Sequence, residues 1–333
     1  MTRPKSKNSS LNNAKKNKND EFYTRLVDIE NELRHYKDQF EDKVILCNCD
    51  DPFESNFFKY FALKFNELKL KKLVCTCYDG SQITGTQLSL FDFMPEQDII
   101  SKKTAYKIEI NEVLDSTADI STLLKDSKNK LTKLKGNGDF ASEECLKILE
   151  KSDIVITNPP FSCMRAFVST LVDYDKKFLI IGNKNAIKYK EIFPLIKENK
   201  MWLGYTNVPK FIQPDGSEKQ FGNVGWYTNL DVKKRYDYLT LYEHYRPEKY
   251  PKYDNYDAID VPKVCEIPMD YDGVMGVPIS FLDKYNPEQF EIIGEANHGS
   301  DNKYDLFKPT VNGKELFTRI IIKKKSDRPS EDK

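Results

Sequence analysis

The chain has 333 residues, 39% hydrophobic and 31% charged, enough to bury a substantial core in one large or two moderate domains. Its 52 basic residues balance 52 acidic ones, so net charge gives no argument for a polyanionic partner. No run approaches the ~18 apolar residues of a membrane helix, no apolar signal core stands at the amino terminus, and seven cysteines fit reduced thiols; the expectation is a cytoplasmic protein with no membrane span.

Residues 1–19 carry Arg3, Lys5, Lys7, Lys15, Lys16 and Lys18 and no acid, and Lys323, Lys324 and Lys325 form a second basic cluster. Such arms embrace phosphates or simply solvate a tail, and both readings stand. Asp20 and Glu21 precede Phe22, Tyr23 and Thr24. From Asp28 to Phe40, Ile29, Leu33, Tyr36 and Phe40 recur at helical spacing and predict an amphipathic helix. A first apolar strand is predicted over 43–49, followed by Asp50 and Asp51. Pro52 then opens a helix through Phe57, Phe58, Phe61 and Phe65, with Asp51 as its cap. A second strand over 71–78 ends at Asp79, giving a βαβ opening with acids past each strand.

Residues 79–104 read as an irregular insertion, 105–110 as a strand, and 121–134 as polar and weakly patterned. Residues 136–140 (GNGDF) form a turn, and Ser142 caps a helix reaching Lys151. Residues 153–157 (DIVIT) are β-branched and nearly all apolar, as in a buried parallel strand. A helix over 164–172, a strand over 177–182 and a helix over 186–200 kinked at Pro194 complete the alternation. The pattern over 20–200 predicts an α/β fold built on a doubly wound, mainly parallel sheet. Past Met201 come short β-like pieces (201–204, 223–229, 274–281 and 317–323) between segments dense in Tyr, Pro, Asp and Lys, a loop-rich region with its boundary near 200–205. Asn312-Gly313 signals a hairpin.

The strongest chemical signal is Asn158-Pro159-Pro160-Phe161, directly after the buried strand. Chance would produce Asn-Pro-Pro-aromatic in roughly one chain in two hundred at average usage, so a plain structural turn carries little weight. Two prolines stiffen a loop at the carboxyl end of a strand, where open α/β sheets place their ligands. There the Asn158 side-chain oxygen and the Pro159 carbonyl can accept from an exocyclic amine while Phe161 stacks on its ring. Gripping both protons raises electron density on nitrogen as the transition state develops.

Asp50, Asp51, Asp79 and Asp139 stand at successive strand ends, where a carboxylate can hold ribose hydroxyls; singly, each is ordinary turn chemistry. Neither G-x-G-x-x-G nor G-x-x-x-x-G-K-[ST] occurs, which points to a nucleoside ligand without a pyrophosphate. Cys47-x-Cys49 and Cys75-x-Cys77 lie inside strands with no neighbouring His, so the expectation is buried thiols and no metal. His35, His244 and His298 are scattered, which argues against His-dependent nucleophilic catalysis. Cys163, two residues past Phe161, has no activating neighbour in the sequence. Basic and aromatic residues interleave from Lys210 and Lys219 through Lys233, Lys234, Arg235, Tyr236, Tyr245, Arg246, Lys249, Tyr250 and Lys252, a nucleic-acid surface or a solvated one.

Taken together, residues 20–24 (DEFYT), 28–36, 43–52 (KVILCNCDDP), 55–62, 138–140, 151–162 (KSDIVITNPPFS), 251–259, 273–282 and 284–291 resemble the EcoRI-type adenine-specific DNA methyltransferases over most of the chain. The resemblance implies an S-adenosylmethionine-dependent methyltransferase fold with a loop-rich carboxyl-terminal target-recognition region. It further implies methyl transfer from S-adenosyl-L-methionine to N6 of an adenine flipped out of double-stranded DNA, by direct attack without metal or covalent intermediate. Asn158, Pro159, Pro160 and Phe161 are then catalytic. Phe22, Tyr23 and Thr24 close over the methionine end of the cofactor, and Cys47 to Asp51 replaces the glycine-rich first motif of the wider class, with Cys49, Asp50 and Asp51 binding the cofactor. Asp79 holds the ribose, Asp139 and Phe140 the cofactor adenine, and Asn158 borders both ligands.

The organisation expected from this is a flexible basic arm (1–19), a catalytic domain (20–204), and a target-recognition region with closing strands and a basic tail (205–333), recognition falling largely to 202–270. A monomer is expected, either paired in function with a restriction endonuclease or acting as an orphan epigenetic methylase. Two other readings are a non-catalytic nucleic-acid-binding module on the same fold and a methyltransferase acting on RNA or on protein glutamine.

Overall fold

Fully apolar four-residue runs need cover on both sides, and the chain stacks them at the centre of its main sheet. The computed structural model describes residues 23–49, 51–79, 105–114, 119–213, 216–297 and 308–325. Phe22, Asp50, the arm 1–19, the insertion 80–104 and His298 lie outside the described residues. Two compact units result: one takes residues up to Ala186 and Gly204–Asp231, the other Ile187–Leu203 and the chain from Val232 onward.

In the first unit β1 (Tyr23–Thr24), β9 (Lys210–Ile212) and β10 (Glu218–Gln220) form a small antiparallel sheet. The main sheet comprises β2 (Val44–Cys47), β3 (Lys72–Thr76), β4 (Tyr106–Ile110), β5 (Lys130–Lys133), β6 (Ile154–Thr157), β7 (Lys177–Asn183), β8 (Trp202–Asn207, in this unit from Gly204 onward) and β11 (Val224–Thr228). Its order is β5-β4-β3-β2-β6-β7-β11-β8. β3, β2, β6 and β7 pair in parallel. β4 on β3, β5 on β4 and β11 on β7 are antiparallel. The parallel part is therefore narrower than the sequence predicts, and the sheet is mixed. The reason is visible in β4, where buried Tyr106, Ile108 and Ile110 alternate with half-buried Lys107 and Glu109. A strand wet on one side belongs to an antiparallel flank.

Several elements differ locally from expectation. The helix after β2 starts at Asn56, because Ser55 accepts from the Phe58 N–H and caps it. Asp51 instead folds the preceding turn, its Oδ1 accepting from Phe53 N at 3.0 Å and its carbonyl from Ser55 N at 2.7 Å. The predicted helix over 28–40 becomes the helix Leu26–Leu33 and a single 3₁₀ turn, Lys37–Gln39. Its predicted apolar face survives, with Ile29, Leu33, Tyr36 and Phe40 at 0% exposure. The predicted helix over 186–200 becomes a 3₁₀ segment (Lys184–Lys188) and a short helix (Phe193–Lys197) with Pro194 in its first turn, where the missing N–H costs nothing. The weakly patterned stretch after residue 118 holds the Asp119-capped helix Ile120–Leu123 as well as β5.

The second unit has β12 (Ile259–Asp260), β13 (Val274–Pro278), β14 (Phe290–Ala296) and β17 (Arg319–Lys324) in the order β12-β13-β17-β14. β15 (Thr310–Val311) and β16 (Lys314–Glu315) form the hairpin that Asn312-Gly313 signals. Both turn residues take positive φ, 50° and 72°. Among the described residues no helix is long and apolar enough to cross a membrane.

Two buried carboxyl groups differ in how the fold treats them. Glu32, at 0% exposure, accepts from Tyr36 Oη (2.8 Å), Tyr205 N (2.7 Å), Thr206 N (2.7 Å) and Thr206 Oγ1 (2.7 Å), tying helix Leu26–Leu33 to β8. Burial and this carboxylate push the Tyr36 hydroxyl far above its usual range. Glu32→Ala orphans two backbone N–H groups and should cost about 3 kcal/mol, read as a lowered urea midpoint; an unchanged midpoint contradicts the role.

Glu295 on β14 is pushed up to about 7 by burial, against the opposing pull of Lys188. An unfolded glutamate titrates near 4.3, so the folded state holds an extra proton between that value and about 7. Its contribution to stability is thus full at acid pH and is lost as pH rises through that window. Glu295→Gln should flatten the pH dependence of the unfolding midpoint between about pH 4 and about pH 8, with the variant gaining on the parent at the alkaline end.

Candidate active site

Along the main sheet, β3 lies to one side of β2, whereas β6 and then β7 extend to the other. The direction of winding therefore reverses between β2 and β6, the place where open α/β sheets leave a crevice at their carboxyl ends. Every residue of β6 is buried, and Thr157 Oγ1 donates to the Asn48 carbonyl, fastening the ends of the two strands together. Asn158 follows at 7% exposure and Phe161 at 8%. The prolines lead into a 3₁₀ turn, Phe161–Cys163, and then the helix Met164–Asp173.

β1 reaches this loop by a route that only the fold reveals. Thr24 stands opposite Phe211 on β9, and Phe211 meets Phe161 edge-on at 6.1 Å. The Thr24 carbonyl also accepts from Asn56 Nδ2 at 2.8 Å. Thr24 is thereby linked through Phe211 to Phe161.

At the end of β3, Asp79 N donates to the Asn137 carbonyl at 2.9 Å. Gly138 has φ +78°, and a Cβ there would lie 2.0 Å from the Cys77 carbonyl oxygen, so only glycine lets this loop dock. The docked loop carries Asp139 and Phe140. Asp139 is exposed and its Oδ1 accepts from Ala141 N at 2.8 Å, while the half-buried Phe140 packs edge-on to Phe167 at 5.0 Å. Asp79 is half-buried. Asp51 is buried and its Oδ1 is held by Tyr106 Oη at 2.5 Å, with burial raising its carboxyl above the usual range. Cys49 adopts φ +73°, a left-handed conformation that glycine normally supplies.

Two polar atoms in this neighbourhood have no hydrogen-bond partner among the described residues. They are Thr24 Oγ1 and Asn48 Oδ1, in residues exposed by only 2% and 7%. Leaving such a group unmade costs about 1–3 kcal/mol, which a ligand carrying a donor would recover. Thr24 is among the residues that the resemblance implies; Asn48 is not, and its one signal in the sequence is a polar residue directly after an apolar strand. Cys47 and Cys75 face each other in register between β2 and β3, both buried. Among the described residues no group of three His, Cys, Asp or Glu could hold a metal ion.

An Asn-Pro-Pro-Phe loop thus stands at the reversal point of a mixed α/β sheet, with carboxylates at neighbouring strand ends, as the resemblance to amino-group methyltransferases implies. The family model described as adenine-specific methyltransferase EcoRI matches residues 10–325. The chain is 46% identical to the type II methyltransferase M.EcoRI of Escherichia coli over 96% of its own length and 97% of that protein's. It is 35% identical to M.MgeORF184P of Mycoplasma genitalium (94% and 98% covered) and 35% identical to M.MpnI of Mycoplasma pneumoniae (95% and 98%). No solved structure matches the chain. The chain belongs to the EcoRI family of adenine-specific methyltransferases.

Gly138→Ala should cost more than about 2 kcal/mol, from the left-handed backbone and the clash with Cys77 together. Differential scanning calorimetry would check it, and a variant as stable as the parent would show that the loop is not docked on β3.

Proposed function

We propose that the chain transfers a methyl group from S-adenosylmethionine to N6 of an adenine turned out of duplex DNA, and so marks one particular DNA sequence. The observation that carries this reading is the Asn158-Pro159-Pro160-Phe161 loop at the reversal point of the sheet, in a chain of this family. Bound S-adenosylmethionine supplies a methyl group on a positively charged sulfur. Residues of β1, of the ends of β2 and β3 and of the loop docked on β3 fit such a group: Thr24 and Asn48 offer buried polar atoms to its methionine end, Asp79 a carboxylate for ribose hydroxyls, and Asp139 and Phe140 a polar and an aromatic neighbour for its base.

On the other side of the crevice Asn158 Oδ1 and the Pro159 carbonyl accept the two protons of the adenine amine, and Phe161 replaces a lost stacking partner. The amine of a conjugated ring is a poor nucleophile. Holding both its protons favours the more electron-rich nitrogen of the transition state over the ground state, the differential stabilisation that raises rate. The target must leave the duplex because its amino group is otherwise paired and enclosed.

Residues 202–270 are assigned to reading the surrounding sequence, and the basic arm 1–19 to the DNA backbone. The chain acts as a monomer in the cytoplasm, and a restriction endonuclease cutting the same sequence is its partner in function, without physical contact.

The test is to incubate the purified chain with tritiated S-adenosylmethionine and duplex DNA from varied sources; absence of label in adenine would falsify the reading. Asn158→Ala should slow transfer at least about a hundredfold while calorimetric binding of S-adenosylmethionine is retained. A variant as active as the parent removes Asn158 from the chemistry, and equal label with RNA or protein glutamine redirects the substrate.

A further inference from the structure

A second cleft opens in the first unit at the same end of the sheet as Asn158, on its β7 side. Its walls include Lys184, Asn207, Gln220, Phe221 and Asn223, and it encloses about 330 Å³. Topology puts these residues together. β7 runs parallel to β6, so Lys184, directly after β7, stands at the carboxyl end shared with Asn158. β11 runs antiparallel to β7 with Val224 opposite Asn183, and Lys184 N donates to the Asn223 carbonyl at 2.9 Å. Val208 N donates to the Val224 carbonyl at 3.0 Å, which brings Asn207 alongside. A run of edge-on rings links the cleft to the catalytic loop, from Phe161 to Phe211 at 6.1 Å and from Phe211 to Phe221 at 5.4 Å.

The chemistry of the lining is one-sided. Among the described residues that form it none is acidic, although acids and bases are equal in number over the chain. Lys219 adds a second cation at the rim, its Nζ 5.5 Å from the centroid of Phe221. Asn223 donates one amide proton to Asn185 Oδ1 at 3.2 Å, which leaves a second. Lys184 is also held in place by a missing side chain. A Cβ at Gly225 would approach Lys184 Cε to 2.9 Å, so the lysine stem lies across bare strand backbone.

We propose that this cleft takes one phosphate of the DNA strand adjoining the target adenosine, with Lys184 as the cation and Asn207, Gln220 and Asn223 as amide donors. A lysine with neutral amides and no carboxylate is the donor set that phosphate oxygens accept from. Its separation from Phe161 by two ring contacts suits the backbone of the extruded nucleotide, with the base itself on Phe161. The site would fix how far the adenosine swings out, a positioning role that rests on the DNA-methylating function proposed above.

The experiment uses the full chain and duplexes in which a neutral methylphosphonate replaces one phosphate at a time around the methylated adenine. Binding is followed by anisotropy at several salt concentrations for the parent, Lys184→Gln and Gly225→Ala. One phosphonate position should weaken the parent about tenfold and each variant less than about twofold, and each variant should lose roughly one phosphate's share of the salt slope. Gly225→Ala keeps the test open if Lys184→Gln fails to fold, because the atom its Cβ meets is the far end of a flexible side chain.

A parallel arm adds inorganic phosphate to DNA-free protein and reads the melting temperature. Stabilisation of the parent alone, with every phosphonate position costing parent and variants alike, identifies a free-anion site and overturns the assignment to DNA. Identical phosphonate profiles with no effect of phosphate overturn it as well. Methylation by the parent with such profiles removes this inference alone, whereas a parent that methylates no DNA removes the function with it.

Discussion

Everything at the candidate site depends on β2 and β6 lying side by side in parallel while the chain on either side of them winds in opposite directions. Neighbouring parallel strands end at the same edge, and where the winding reverses no crossover helix covers that edge. The hydroxyl of Thr157 bonded to the Asn48 carbonyl closes the seam between the two ends. Asn48 and Cys49, directly after one strand, and Asn158, directly after the other, thus stand at the same edge of the sheet.

The molecule handles buried polarity in two contrasting ways. Glu32 is deeply buried but takes four hydrogen bonds, so both its oxygens meet donors that the fold supplies. That is how a buried carboxylate becomes part of a framework. Thr24 and Asn48 are buried with a polar atom left over. Groups of that kind cost stability and gain their use when a ligand arrives. The tyrosine-bound Asp51 belongs with the framework, since Tyr106 and Phe53 already occupy its Oδ1.

Left-handed backbone marks two points of the same rim. Gly138 reaches φ +78° where the following loop crosses the end of β3, and no other residue would fit beneath the Cys77 carbonyl. Cys49 reaches φ +73° with a side chain present, at a cost of about 1–2 kcal/mol. The wider class resembled here places glycines after its first strand. Here a side-chain-bearing residue, Cys49, holds the left-handed turn after β2.

The sequence by itself determined the buried central strands, the Asn158 loop, the capped helix after Ser142 and the Asn312-Gly313 hairpin. Each is a local matter of apolar runs, prolines, caps and turn residues, which short stretches of chain decide. It also determined the family, because motif blocks spread over most of the chain are read without knowing where they meet. The alternation in β4 was legible too, although a parallel pattern was read across it. Only the tertiary structure decided which strand lies beside which, and with that the mixed character of the sheet. The Thr24 to Phe211 to Phe161 contacts, the bond from Thr157 to the Asn48 carbonyl and the Lys184 cleft are likewise set by pairings between residues far apart in sequence. Such pairings follow from burial and register across the whole fold, and no local pattern encodes them.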